Sequence, residues 1–351
     1  MSKIETADIA AWRQMIDTNP QSSPAFYNRL ANGLFLRGKI DEAIAVYRDL
    51  IRVKPSHASM GYIKLGNILS QQGDFFGAKT AYREADIARS VFNINEVISF
   101  IHQYFPRNFE QLDIDILDNG CDQTGQQLAL LAEHTRGRVV GTNIFSGFPK
   151  NTVKHHRANN EFYSMDGQEL TFQKDSFDLV ISLNVMEHVP NPFKYLKECY
   201  RVMRPGGFGY FSWYPLWSGG TGHHVHPDMV SDAAQKMNLV PPNYTLDGRS
   251  IPYWGHLLFS KAEMLSFLLT NKNYDPALAD WICNYIYCHH DLNRWFWRDF
   301  WRAFQNVSWK MIQVTKRSGD ILDTKILQQL KQKYGAIEDF QVCGAQIIVQ
   351  K

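Results

Sequence analysis

From Leu112 onward the chain alternates short apolar runs with amphipathic stretches, and this alternation restricts the fold more than any other feature of the sequence. DIDILD, RVVGTNI, NEFYSMD, FDLVISL and GFGYFSWYP are strand-like in length and rich in β-branched and aromatic residues. Helices fall between them; in NPFKYLKECYRVMR, Phe193, Leu196, Tyr200 and Met203 recur at helical spacing. SWKMIQVTKR and GAQIIVQ supply two last strands around the helix DTKILQQLKQKYG, which Gly335 stops. Strands alternating with helices imply an α/β fold with a mostly parallel sheet. Ligands of such sheets sit at the C-terminal ends of the strands, so the loops there hold the candidate functional residues.

The N-terminal region has a different period. AFYNRLANGLFLRGKIDEAIAVYRDLIRVKP and MGYIKLGNILSQQGDFFGAKTAYREADIARS align at a step of 35 residues, which pairs Tyr27 with Tyr62, Leu30 with Leu65, Ala43 with Ala78 and Tyr47 with Tyr82. A further step back sets Trp12 on Tyr47 and Pro20 on Pro55, although Asp8 then falls where the small alanines stand. Small Ala43 and Ala78 let two helices approach closely, the aromatic four residues later fills the next groove, and Gly38 and Gly73 take the turns. The pattern resembles the tetratricopeptide repeat over roughly a quarter of the chain. Stacked units of this kind need a cap, for which NINEVISFIHQYF is the expected helix. The expected organisation is helical repeats at 1–90, a capping or linker helix at 91–112, and an α/β domain at 113–351 with an aromatic-rich helical insertion at about 217–305. The repeats would serve as a surface for a protein partner or for self-association, or as a brace on the following domain.

With 37 basic and 35 acidic residues intermixed, the chain lacks the clustered positive charge of a nucleic-acid binder. No apolar run reaches the ~20 residues of a membrane span, and the polar start MSKIETADIAAWRQ is unlike a secretory signal. Five cysteines without C-x-x-C spacing suggest neither a disulfide framework nor a structural zinc site. A cytoplasmic enzyme is expected.

ILDNGCDQTGQQLALLAE reads as a strand, a glycine loop and a helix. Its G-C-D-Q-T-G is not the G-x-G-x-x-G of a nicotinamide dehydrogenase. Downstream, FDLVISLNVMEHVPNPFKYLKECYRVMRPGGFGYF carries a Glu-His pair, Glu187 and His188, after the fourth strand, then a helix and the turn Arg204-Pro205-Gly206-Gly207. These features resemble class I S-adenosylmethionine-dependent methyltransferases of the small-molecule type. The resemblance spans Asp113 to about Trp213 and implies a Rossmann-like seven-stranded sheet with S-adenosylmethionine as cofactor. By position it implies that Asp118 and Gly120 open the loop around the methionine portion and that Asn143 meets the ribose. Asp166, with Gly167 beside it, would accept from the adenine amino group, and Asn184 would lie at the sulfonium. The chain departs from the family pattern at Asp122 and Thr124, which replace glycines, and at Asn143, which replaces an acid. Each change costs ~1–2 kcal/mol if nothing compensates, so that two or three weaken affinity by roughly tenfold to a thousandfold.

Methyl transfer asks the protein to align an acceptor and remove its proton. WSGGTGHHVHPDM follows strand five, and YWGHLLFSKAEM adds His256 before a helix whose Ser260 and Glu263 form a capping box. His224, then His223 and His256, are the candidate bases for a hydroxyl; the competing reading is that individual histidines bond the loop backbone. His223, His224, His226 and Asp228 also form an alternative set of metal ligands, although adjacent histidines point apart. The G-H-H and W-G-H-L-L segments resemble those of methyltransferases found alongside sugar-modifying enzymes. The sequence therefore points to an O-methyltransferase acting on a small, sugar-containing metabolite. Two alternatives keep the fold: a non-methylation reaction (elimination, cyclisation or metal-assisted hydrolysis), or a non-catalytic scaffold. Trp281, Tyr285, Tyr287, Trp295, Phe296, Trp297, Phe300, Trp301 and Phe304 form either a lid with an acceptor pocket or, as helical spacing favours, core or a dimer seam.

Overall fold

The computed structural model describes residues 6–105, 112–122, 125–144, 160–240, 242, 251–319, 323–335 and 339–351. In chain order the helices are α1 (Thr6–Thr18), α2 (Pro24–Phe35), α3 (Ile40–Val53), α4 (Ala58–Gln71), α5 (Phe75–Tyr104), α6 (Gln126–Ala132), α7 (Pro192–Val202), α8 (Pro227–Lys236), α9 (Gly255–Leu258), α10 (Lys261–Thr270), α11 (Pro276–Tyr287), α12 (Trp297–Gln305) and α13 (Thr324–Tyr334). The strands are β1 (Ile116–Asn119), β2 (Val139–Asn143), β3 (Asn160–Ser164), β4 (Phe177–Leu183), β5 (Met203–Trp213), β6 (Lys310–Ser318) and β7 (Val342–Gln350). Two compact units divide the chain: 1–92 with 225–251 and 265–282, and 93–224 with 252–264 and 283–351.

In the first unit the 35-residue step has a structural counterpart. The Tyr47 hydroxyl donates to Asn32 Oδ1 at 2.8 Å, and the Tyr82 hydroxyl donates to Asn67 Oδ1 at 2.8 Å. Ala43 and Ala78 are buried, as close helix approach requires. Gly38 and Gly73, at φ +73° and +81°, reverse the chain in a left-handed conformation that favours glycine. The segment expected as a separate cap is the C-terminal part of α5, which runs unbroken for 30 residues.

The second unit contains one seven-stranded sheet in the order β3-β2-β1-β4-β5-β7-β6. The first five strands are parallel, and β7 runs antiparallel to β5 and β6. The central strands β1 and β4 are apolar and buried, as strands covered on both faces must be. The expected strand DIDILD begins only at Ile116, because Asp115 has other bonds to make: its carboxylate accepts from the Arg138 amide and from Arg204. Arg204 also pairs with Asp178, which ties the N-terminal ends of β1 and β4 together. The R-P-G-G turn lies inside β5 rather than before it: pairing with β4 breaks between Met203 and Phe208, and Gly206 takes φ +81° in the excursion. Asn191 caps α7 by accepting from the Lys194 amide, with Pro192 at the first helical position. On α12, Trp297, Phe300 and Phe304 are buried core residues, and Trp213 packs on the last two at ring distances of 5.3 and 5.8 Å. Among the described residues no helix is long and apolar enough to cross a membrane.

Candidate active site

The parallel register carries the ends of β1, β2 and β4 to one edge of the sheet, with Asp118 beside Gly141 and Ile181. Gly120 follows at φ +101°, and a Cβ there would lie 2.4 Å from a methyl group of Val185. Only glycine fits, and the contact joins the loop after β1 to the loop after β4. Asp118 is completely buried and neither carboxylate oxygen has a hydrogen-bond partner among the described residues. Burial, and then the charge of Asp122, hold its carboxyl well above the usual range. A buried acceptor without a donor is costly; an ammonium or hydroxyl group of a ligand satisfies it.

Two of the three departures, Asp122 and Asn143, fall within the described residues. Asp122 accepts from the Gln127 amide at 3.2 Å, which sets a carboxylate at the start of α6, where the unsatisfied amides favour negative charge. Asn143 donates through Nδ2 to the Cys121 carbonyl at 2.6 Å and accepts through Oδ1 from the Ile144 amide at 2.7 Å. A carboxylate cannot make the first of these bonds, so an amide suits the loop as it is folded. Thr124 lies outside the described residues.

Asp166 is exposed and accepts from the Gln168 amide at 2.8 Å and from its side chain. Gly167 leaves room for Asn119, whose Oδ1 would be 2.5 Å from any Cβ at that position. Asn119 in turn accepts from the Thr142 hydroxyl and donates to the Gly167 carbonyl, so it fixes the loop that carries Asp166. Asn119 is not legible as a site residue in the sequence, because an asparagine before a turn glycine reads as turn chemistry. Asn184 turns the chain at φ +55°, and its amide donates to the Ser212 carbonyl. Asp118 and Asn143 lie in the last residues of β1 and β2, and Gly120, Asp166, Gly167 and Asn184 in the loops that follow β1, β3 and β4, all at the C-terminal edge of the sheet. The arrangement fits a small cationic cofactor: Asp118 offers unsatisfied acceptors, and the left-handed turn at Gly120 brings backbone close to them.

The histidines lie after β5 and in α9. His223, His224 and His256 are buried. His224 Nε2 donates to the Pro215 carbonyl at 2.8 Å, because a carbonyl can only accept. The His256 Nε2–H donates to the Trp217 carbonyl at 2.7 Å; burial pushes its pKa down to about 4, and Nδ1 has no hydrogen-bond partner among the described residues. The rings of His223 and His256 meet at 5.5 Å, and those of His224 and His188 at 5.2 Å. His226 is exposed and belongs to the first unit, and the Asp228 side chain lies outside the described residues. Among the described residues no group of three histidine, cysteine or acidic side chains is placed to hold a metal ion. Ser260 and Glu263 make the expected reciprocal bonds at the start of α10.

Glu187, beside His188 after β4, is buried like Asp118. Its Oε2 has no hydrogen-bond partner among the described residues. Burial raises its pKa to about 7.

Residues 117–211 match the family model described as a methyltransferase domain. An uncharacterized methyltransferase from Mycobacterium avium is 44% identical over 63 residues, 18% of this chain and 24% of that protein. One from Mycolicibacterium vanbaalenii is 43% identical over 72 residues, 20% and 28% of the two chains. The matches thus span about a quarter of the length of these curated relatives. Among solved structures, an S-adenosylmethionine dependent methyltransferase from Mesorhizobium loti aligns with TM-score 0.39 and 15% identity, over 68% of this chain and 92% of that one. Geranyl diphosphate C-methyltransferase from Streptomyces coelicolor aligns with TM-score 0.38 and 12% identity, over 73% and 75%. Likenesses this distant carry no argument. The segment 117–211 is similar to a methyltransferase domain, which supports S-adenosylmethionine as its cofactor.

Proposed function

We propose that the chain transfers the methyl group of S-adenosylmethionine to a hydroxyl of a small, sugar-containing metabolite. The observation that carries this reading is the unsatisfied Asp118 carboxyl beneath the Gly120 turn, at the sheet edge that also bears Asn184. Asp118 and the Gly120 backbone hold the methionine portion, Asn143 meets the ribose, Asp166 and Gly167 flank the adenine, and Asn184 borders the sulfur. When bound, the cofactor supplies a methyl group made electrophilic by its sulfonium. The hydroxyl oxygen bonds to the methyl carbon, the carbon–sulfur bond breaks, and its electron pair stays on sulfur. His224, oriented by its Nε2–H on the Pro215 carbonyl, takes the hydroxyl proton. His256 is too weakly basic for that task and holds the loop through Trp217. The N-terminal helices, read as tetratricopeptide-type repeats, bind a protein partner or a second copy.

Methyl-labelled cofactor incubated with hydroxylated metabolites, sugars and glycosides among them, tests the reading. Label appears on oxygen, and His224→Ala lowers the rate at least a hundredfold with cofactor affinity intact. An unchanged rate in the variant removes the base assignment. A second reading, a non-methylation reaction such as elimination or cyclisation, is favoured by the engagement of both His224 and His256 with backbone carbonyls. It requires the acceptor to change while the label stays on the cofactor.

A further inference from the structure

Glu187 is a buried carboxyl without an assigned task. It follows β4 by four residues, two beyond the Val185 that packs on Gly120, so its loop is in contact with the loop that carries Asp118. The groups around it leave it half satisfied. The backbone of Tyr214, from the loop after β5, favours its charged form, and the Asn293 amide donates to its backbone carbonyl. His188 on its own loop is the titratable group acting on it; that ring is held by the Asp291 carbonyl through Nδ1 and packs on His224. None of these reaches Oε2.

An ionised oxygen buried without a donor is strongly disfavoured, so Glu187 is neutral in the empty protein below pH 7. A positive charge entering at this edge changes that balance. S-adenosylmethionine carries an ammonium, a carboxylate and a sulfonium, for a net charge of +1; the thioether left after methyl transfer carries none. We propose that Glu187 is the residue by which this site distinguishes the cationic sulfonium cofactor from its neutral thioether product. The carboxyl loses its proton to solvent as the sulfonium cofactor enters, and the resulting charge pair favours that ligand. After methyl transfer the sulfur is neutral, Glu187 regains a proton, and the product is held less tightly. The inference rests on the cofactor reading of the site given above.

Calorimetric titration with S-adenosylmethionine and with S-adenosylhomocysteine, at pH 6 and pH 8 in two buffers of different ionisation heat, tests it. At pH 6 the sulfonium ligand releases close to one proton more than the thioether. The ratio of the two affinities rises about tenfold between pH 6 and pH 8. In Glu187→Gln both ligands still bind, the extra proton is absent and the ratio no longer depends on pH. Equal proton release for the two ligands in the wild type overturns the proposal, as does extra release that survives in Glu187→Gln. Should that variant not fold, carbon-13 resonances of glutamate carboxyls in the wild type replace it. One carboxyl is neutral at pH 6 in the empty and thioether-bound protein and ionised in the sulfonium complex; a carboxyl neutral in all three overturns the proposal. Failure of both ligands to bind the wild type refutes the cofactor reading itself.

Discussion

Asn143 is either a damaged ribose contact or a staple for the glycine loop, and Asn143→Asp separates the two. The substitution removes the 2.6 Å bond from Nδ2 to the Cys121 carbonyl and sets a carboxylate oxygen against it. An acceptor left without a donor costs about 1–3 kcal/mol, and the added repulsion brings the expected loss to about 2–4 kcal/mol at pH 8. The loss depends on ionisation. When protonated, the introduced carboxyl can donate to the same carbonyl, so the folded state favours its neutral form and raises its pKa. The penalty is then small below the ordinary carboxyl range and grows as pH rises through the folded value. Urea denaturation at pH 5 and pH 8, followed by a probe in the sheet unit, measures both features. Calorimetry measures the other side of the balance, since a carboxylate gripping the ribose would tighten cofactor binding through charge-assisted bonds. A variant as stable as the wild type at pH 8 that binds S-adenosylmethionine tenfold more tightly refutes the staple argument.

Other consequences concern the same edge. Gly120→Ala meets both a left-handed φ and a 2.4 Å approach to Val185, so it lowers stability by about 1–3 kcal/mol; adding Val185→Ala recovers only the contact part, as double-mutant denaturation will show. Glu187, whose pKa is raised from an ordinary 4.5 to about 7, lowers stability as pH climbs between these values, by up to about 3 kcal/mol, and Glu187→Gln flattens that slope in denaturation curves at pH 5 and pH 8. His256 acts in the opposite sense: lowered from 6.5 to about 4, it destabilises the fold as pH falls from 6.5 through 4. His256→Gln, which keeps a donor for Trp217, makes the protein less acid-labile by up to about 3 kcal/mol at pH 4.

The parallel core was legible because buried strands write themselves as apolar runs: FDLVISL is β4 residue for residue. The ends of strands were less so. Asp113 and Asp115 looked strand-like in DIDILD, but the Asp115 carboxylate bonds to Arg204 and Arg138, partners 89 and 23 residues away that no local pattern shows. The Ala43 and Ala78 spacing announced the helix pairs; that the 93–104 segment continues α5 without a break was hidden, because no glycine or proline marks the junction either way. At the site, the resemblance of the strand-four segment supplied positions but not bonding. The sequence shows Asn143 and Asp122 as substitutions of family residues, whereas the fold shows one amide fastening Cys121 and one carboxylate capping α6. Glu187 looked like a structural hallmark, since its unsatisfied oxygen depends on the backbone of Tyr214 and on burial, neither of which a sequence contains.

The decisive measurement is direct titration of the full chain with S-adenosylmethionine near neutral pH. Micromolar affinity, lost or sharply reduced in Asp118→Asn, is the predicted outcome. Absence of heat at millimolar cofactor, in protein that unfolds cooperatively, would contradict the account.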